Sequence, residues 1–363
     1  MATDGQRLAR RVIETCRELG FARAGVSKVA PSEFGDELRA WLDAGKHGSM
    51  DYLTKYLDER LDPARLLDGA RTVVMVADLY TRRGDGLEEL AAPGVGKIAR
   101  YARGRDYHTV IKKRLHALCD MLAEQHPGAG FRAFTDTAPV LERELAQRCG
   151  LGWNGKHTLT IHPRLGSYML IGGVLTTLDM DTPAEQKAVG DHCGTCTRCI
   201  DACPTDAITP YSVDGSRCLS YATIEHRGCY PEQLAEGTGD WLFGCDICQE
   251  VCPHNSPRPG RRWSSGAGRP NEAYEPRRTG FDLLEVLGWS EDDRREAFTT
   301  SSMKRAKLPE FKRNALIVAG NQLREHDLPE LRARIEQIAL DDQEDELVRE
   351  TARSVLNRLN GSP

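Results

Sequence analysis

Nine of the 12 cysteines of this 363-residue chain lie between Cys193 and Cys252, at spacings that suit metal ligands. A dense cysteine cluster in a chain with no apolar secretion segment at its start argues for metal and against disulfides. Cys193-x2-Cys196-x2-Cys199-x3-Cys203-Pro204 is the run found in bacterial ferredoxins. Three of its thiolates grip three corners of an iron–sulfur cubane, and the fourth, followed by proline, turns away to serve a second cluster. A second run, Cys245-x2-Cys248-x3-Cys252-Pro253, has Leu242 where a first cysteine would stand. Counting ligands, Cys193, Cys196, Cys199 and Cys252 complete one site, and Cys203, Cys245 and Cys248 make three quarters of another. Spacing leaves Cys218 and Cys229 as candidates for the missing thiolate. Structural zinc prefers paired knuckles to a triple followed by Cys-Pro, and no C-x-x-C-H is present to attach haem. Two 4Fe-4S clusters are therefore expected. Cys16, Cys119 and Cys149 read as buried apolar residues.

Two adjacent clusters conduct electrons and need an acceptor. Gly94-Val95-Gly96-Lys97 lacks the earlier glycine and the following hydroxyl of a phosphate-binding loop, and no G-x-G-x-x-G opens a helix after a strand. Asp106-x-His108 begins like a cobalamin-ligating D-x-H-x-x-G, but Ile111 takes the glycine's place, so His108 reads as structural. Asp136, before Thr-Ala-Pro, reads by itself as a turn or helix cap.

These residues have to be positioned by ordinary globular elements. The chain carries 49 Lys and Arg against 54 Asp and Glu, a net charge of −5, with 40% hydrophobic and 28% charged residues. That balance excludes a generally basic surface while allowing a local one. No run approaches the ~18 apolar residues of a membrane helix. Arg10-Arg11 is followed by Glu14, Arg17 and Glu18, not by the apolar stretch of a twin-arginine signal. The expectation is a cytoplasmic protein with no membrane association, two or three domains by length, and a monomer. Residues 1–30 predict an amphipathic helix and a strand around Ala24-Gly25-Val26. Residues 71–79 and 167–178 predict buried strands, the latter bulged at Gly172-Gly173, and residues 106–126 predict a helix. Alternation of helix and strand over residues 1–185 predicts an α/β or α+β domain. Residues 186–256 predict a loop-rich cysteine module, and 257–363 a basic linker followed by helices. Leu308-Pro309 and Leu328-Pro329 mark two helix starts. Leu331, Ile335 and Ile338 share one face, and Val348, Ala352, Val355 and Leu359 another, in the manner of HEAT-type repeats. The segment 255–280 carries Arg258, Arg261, Arg262, Arg269, Arg277 and Arg278, which reads as an exposed linker or as a strip for phosphate.

Several stretches together carry a family resemblance. They are Asp136-Thr-Ala-Pro-Val-Leu-Glu-Arg143, Gly150-Leu-Gly-Trp-Asn-Gly-Lys-His-Thr158, the two cysteine runs with Gly244-Cys-Asp-Ile-Cys-Gln-Glu-Val-Cys-Pro253, Arg217-Cys-Leu-Ser-Tyr-Ala-Thr-Ile-Glu225 and Arg313-Asn-Ala-Leu-Ile-Val-Ala-Gly-Asn321. Spanning roughly residues 55 to 325, they resemble the epoxyqueuosine reductases, iron–sulfur and cobalamin-dependent enzymes of tRNA queuosine synthesis. Asn154 and His254 depart from the family's usual aliphatic and aromatic residues there. The resemblance implies an α/β (α+β) cobalamin-binding reductase domain over 1–185, a ferredoxin-like double-cluster module over 186–256 and a tRNA-holding helical domain over 257–363. It implies cobalamin bound base-off, Cys218 as the eighth ligand because it lies within the matching stretch, and Asp136 as proton donor, its pKa raised by burial. Arg60, Thr160, Ser220, Cys245 and Asp246 match the family's cobalamin-binding positions, with Lys156 and His157 as neighbours. The implied partners are the anticodon stem-loop of a tRNA carrying epoxyqueuosine and an external electron donor. The phosphate contacts would come from the arginines of 258–278 with Lys304, Arg305, Lys307, Lys312 and Arg313. The alternatives are a reductive dehalogenase-like enzyme with the same two cofactors and a ferredoxin-type electron carrier.

Overall fold

A computed structural model describes residues 2–81, 92–256 and 269–361. Helix α1 (Asp4–Glu18) starts at Thr3, whose hydroxyl accepts from the Gln6 N–H while the Gln6 side chain accepts from the Thr3 N–H, a reciprocal cap. Strand β1 (Arg23–Lys28) follows, then the short helices α2 (Gly35–Asp43) and α3 (Leu57–Leu61) and strand β2 (Thr72–Leu79). Every residue of β2 is buried, as its uninterrupted apolar run requires of a strand covered on both faces. Strand β3 (Val95–Ile98), helix α4 (Tyr107–Gln125), strand β4 (Phe131–Phe134), helix α5 (Glu142–Arg148), the hairpin β5 (Trp153–Asn154) and β6 (Thr160–Ile161), and strand β7 (Met169–Thr176) complete the first half.

The main sheet has the order β1-β2-β7-β4 with every pair antiparallel, so the α+β form of the expectation holds. Helices α1 and α4 cover one face with Ala9, Val12, Ile111, Leu115 and Leu118. Helix α5 covers the other with Leu145 and Ala146. The expected bulge at Gly172-Gly173 is absent: the β2–β7 register runs unbroken through Val76 opposite Gly172 and Met75 opposite Gly173. The glycines are there for closeness. A Cβ on Gly173 would stand 2.6 Å from Met75 Sδ and 2.7 Å from Phe134 Cζ.

The cysteine segment folds as short turns: α6 (Arg198–Asp201), the hairpin β8 (Ile208–Thr209) and β9 (Ser212–Val213), α7 (Leu219–Ile224), α8 (Glu232–Gly237), β10 (Trp241–Phe243) and α9 (Ile247–Glu250). After it come β11 (Gly280–Asp282) and α10 (Leu283–Leu287), α11 (Glu291–Ala297), α12 (Leu308–Gln322), α13 (Pro329–Leu340) and α14 (Glu346–Asn360). Strand β3 pairs in parallel with β10 and antiparallel with β11. This second sheet stitches together three distant stretches of chain. Helix α12 is buried on nearly every side, packed against α14, α10 and β10, and its Phe311, Ala315 and Leu316 belong to the same core as Leu242 and Phe243 of β10. The apolar positions read for α13 and α14 face this core.

Candidate active site and cysteine centres

Cys193, Cys196, Cys199 and Cys252 stand around a cavity of about 330 Å³, open mouth included. Cys252 sits among the other three thiols, and burial first, then their charges, push it up to about 11. Cys203, Cys218, Cys245 and Cys248 form the second group. Burial first, then Cys218 and Cys203 beside it, drive Cys245 upward. Burial and then Cys245, Cys218 and, across the gap between the groups, Cys199 do the same to Cys248. Cys218 accepts backbone N–H donors from Tyr221 and Ser220. Cys229 is exposed, with its sulfur 3.7 Å from Glu350. Among the described residues no three His, Cys, Asp or Glu side chains converge closely enough for a single ion. The thiols ring a space that a larger inorganic body would fill, and buried thiolates need such a cationic body to balance them. The β5–β6 hairpin walls the first group: Lys156 Nζ donates to the Gly194 and Cys196 carbonyls at 2.7 and 3.0 Å. Cys16 and Cys149 are buried, with burial raising each to about 12, and Cys119 is raised to about 11 by the same cause.

The second centre is built where β4 hands the chain to α5. Asp136 takes the left-handed conformation, φ 57°, which aspartate tolerates better than most residues. Its N–H donates to Glu142 Oε1 at 2.6 Å, fixing the turn. At the start of α4, Asp106 Oδ1 accepts from the His108 N–H at 3.0 Å and lies 2.8 Å from His108 Nδ1, while His108 Nε2 lies 3.0 Å from Asp136 Oδ2. His108 therefore bridges two carboxylates. Burial alone would lower it, but the hydrogen bonds to Asp106 and Asp136 and their charges carry it up to about 9. Burial would raise Asp136, but His108, Tyr107 and Arg305 hold it below its usual value. The expectation of a raised Asp136 is thus corrected: the proton rests on His108. Burial, then the Asp136 charge, raise Glu142 to about 8. Sequence spacing read His108 as structural and did not connect it with Asp136. Its signal was the Asp-x-His pair, but its partner lies 28 positions away.

Arg305 forms a two-pronged pair with Glu225 and lies 5.3 Å from the Tyr52 ring centre. The charges of Glu225, Arg305, Asp136 and Arg60 all act on Tyr52, so these residues share one neighbourhood. Arg60 Nε is buried with no hydrogen-bond partner. Ser220 is half-buried beside Cys218. Thr160 is buried and donates to Asn154 Oδ1 at 3.0 Å. The Asp246 carboxylate is spent on Arg100, accepting its N–H at 2.7 Å and pairing with its guanidinium at 3.3 Å. Only the backbone of the Cys245-Asp246 step is left for a ligand. Lys156 and His157, expected as neighbours of cobalamin, line the first cysteine cavity.

Two expected phosphate contacts are corrected. Arg313 is fully buried, donating to the His226, Gly228 and Ala222 carbonyls, and Lys312 is buried against Glu344 at 2.9 Å. Lys304, Arg305, Lys307, Arg269, Arg277 and Arg278 are exposed, whereas Arg258, Arg261 and Arg262 lie outside the described residues.

A family model described as epoxyqueuosine reductase QueG matches residues 60–137, and one described as a 4Fe-4S double cluster binding domain matches residues 192–255. The chain is 38% identical over 320 residues to the epoxyqueuosine reductase of Pseudomonas aeruginosa, covering 88% of this chain and 86% of that protein. It is 37% identical over 322 residues to that of Escherichia coli K12, covering 88% and 82%. Among solved structures, the epoxyqueuosine reductase of Streptococcus thermophilus superposes with a TM-score of 0.84 at 25% identity, covering 98% of this chain and 90% of that one. An epoxyqueuosine reductase crystallised with an epoxyqueuosine-modified tRNA-Tyr stem loop gives 0.83 at 24% identity, covering 97% and 90%, a likeness of fold. By this extent of identity the chain belongs to the epoxyqueuosine reductase family.

Proposed function

We propose that the protein reduces epoxyqueuosine to queuosine in the anticodon loop of tRNA, drawing electrons through two 4Fe-4S clusters to base-off cobalamin and protons through the His108–Asp136 pair. The observation that carries this reading is that one chain joins a double cysteine module to a carboxylate–imidazole pair, His108–Asp136, in the neighbourhood of Arg60, Tyr52 and Arg305. Cys193, Cys196, Cys199 and Cys252 hold one cluster, and Cys203, Cys218, Cys245 and Cys248 the other. The unpartnered Arg60 Nε is suited to a polar edge of the corrin, with Ser220, Thr160 and the Cys245-Asp246 backbone as further contacts. Cobalamin bound without its lower base supplies a readily reduced cobalt centre.

The overall change consumes two electrons and two protons: both epoxide C–O bonds break, a C=C bond forms and the oxygen leaves as water. His108 holds one proton at Nε2 and hands it to Asp136 Oδ2, which passes it on to the departing oxygen. Solvent supplies the second. Glu142 holds the Asp136 turn in place throughout. The substrate base must leave the loop stack to reach a buried centre, so the backbone on either side has to be gripped. Lys304, Arg305, Lys307 and the exposed arginines of 269–278 do this from the segments that precede α12 and β11, with the HEAT-like helices α12–α14 following in the chain. In this scheme residues 1–185 bind cobalamin, 186–256 carry the clusters and 257–363 hold tRNA, in a cytoplasmic monomer served by an external electron donor. Among the described residues, no helix is long and apolar enough to cross a membrane.

The test is anaerobic reconstitution with iron, sulfide and cobalamin, followed by incubation with epoxyqueuosine tRNA and a strong reductant. Nucleoside analysis should show queuosine replacing its epoxide. No conversion by protein with full iron and corrin content rejects the reading.

A further inference from the structure

His157 sits in the tight turn between β5 and β6, where Gly155 N–H donates to the Leu159 carbonyl at 3.0 Å and Thr158 is left-handed, φ 67°. The turn presses on the first cysteine group: a Cβ on Gly155 would stand 3.5 Å from Cys193 Sγ. The His157 ring lines the cavity walled by Cys193, Cys196, Cys199 and Cys252, and the residue is 3% exposed. Its Nδ1 accepts from the Leu159 N–H at 3.2 Å. In a neutral imidazole the other nitrogen must then carry the proton. The result is an Nε2–H donor, buried, with no hydrogen-bond partner in the protein. A buried donor of this kind is costly to leave without an acceptor. Of the chemical groups that belong in this cavity, the thiolates and sulfides of a cluster are the acceptors.

We propose that His157 Nε2–H donates to a sulfur of the cluster held by Cys193, Cys196, Cys199 and Cys252, and that this bond makes that cluster easier to reduce than its neighbour. Adding one electron to a cubane increases the negative charge on its sulfurs, so a donor aimed at them favours the reduced state; hydrogen bonds to sulfur are among the determinants of cluster potential. The electron comes from an external one-electron reductant and no proton need move. Trp153 Nε1, also buried without a partner, lies on the same wall against Cys252, but His157 lines the cavity itself. The assignment rests on the reading of this cavity as a 4Fe-4S site.

The experiment is a dithionite-poised redox titration of the reconstituted holoprotein followed by EPR, with the first cluster's signal identified by its loss in Cys196→Ser. His157→Phe fills the same space without a donor. At a fixed potential it should lower the reduced-to-oxidised ratio of the first cluster about tenfold, ~59 mV for a one-electron couple, leaving the second unchanged. His157→Gln, which keeps an N–H, should restore most of the shift. In wild type labelled with 15N-histidine, the reduced first cluster should show a nitrogen coupling that His157→Gln removes. An unshifted potential in His157→Phe with full iron and sulfide overturns the inference. If that variant loses its cluster, a wild type without the histidine coupling overturns it equally. A wild type that takes up iron and sulfide but shows no first-cluster signal refutes the cluster reading itself.

Discussion

His108 bridges Asp106 and Asp136 and sets the charge state of that cluster. Its two carboxylate partners hold it at about 9, above the ordinary histidine value of 6.5, so the pair's stabilising charge contribution is full below about 6.5 and is lost as pH rises through about 9. Turnover should follow the same limb: level from pH 7 to 8, falling through pH 9. His108→Gln should abolish that limb and slow the chemical step on the order of 100-fold, the usual scale for an acid–base group, while iron content and corrin absorption stay intact. A variant with the same alkaline limb would return the titration to another residue. Asp136→Asn should be comparably slow, and near-normal turnover would reduce Asp136 to a turn residue. At this scale the cysteines were legible because cluster ligands come in short local runs whose spacing is itself the signal. The state of Asp136 was not, because it is set by His108 and Tyr107, brought across from the start of α4 by the fold.

Helix α12 shows the same limit for an element. Its start at Leu308-Pro309 and its apolar face are written in the chain, but its burial on nearly every side also hides Lys312 and Arg313. Arg313 bonds to the Ala222 carbonyl within α7 and to the His226 and Gly228 carbonyls of the segment linking α7 to α8, and Asn314 donates to the Thr223 and Leu242 carbonyls at 2.9 and 3.0 Å. Arg313→Glu should cost about 3–5 kcal/mol by stranding those acceptors and burying a charge of the wrong sign. It should appear as a lowered Tm, so it is no test of tRNA binding. In the main sheet, Gly173→Ala should cost ~1–3 kcal/mol through overpacking against Met75 and Phe134; an unchanged Tm would show that β7 gives way. Strands β2 and β7 were legible as apolar β-branched runs, whereas the second sheet was not. Its three short strands have no periodicity of their own and exist only because distant segments meet.

Across the whole molecule a net charge of −5 leaves tRNA a local hold centred on Lys304, Arg305 and Lys307. Affinity should fall steeply with salt, by counterion release, and Lys304→Glu with Lys307→Glu should weaken stem-loop binding several-fold with the cofactor spectra unchanged; salt-insensitive binding would move the contact elsewhere. Clusters, pocket and helices act together only if electrons pass from the module into the Asp136 site. That passage can be watched directly. Holoprotein reduced, freed of excess reductant and mixed with an epoxyqueuosine stem-loop should lose both reduced-cluster EPR signals at the rate at which queuosine appears. Product formed while the cluster signals persist, or signals lost without product, would contradict it.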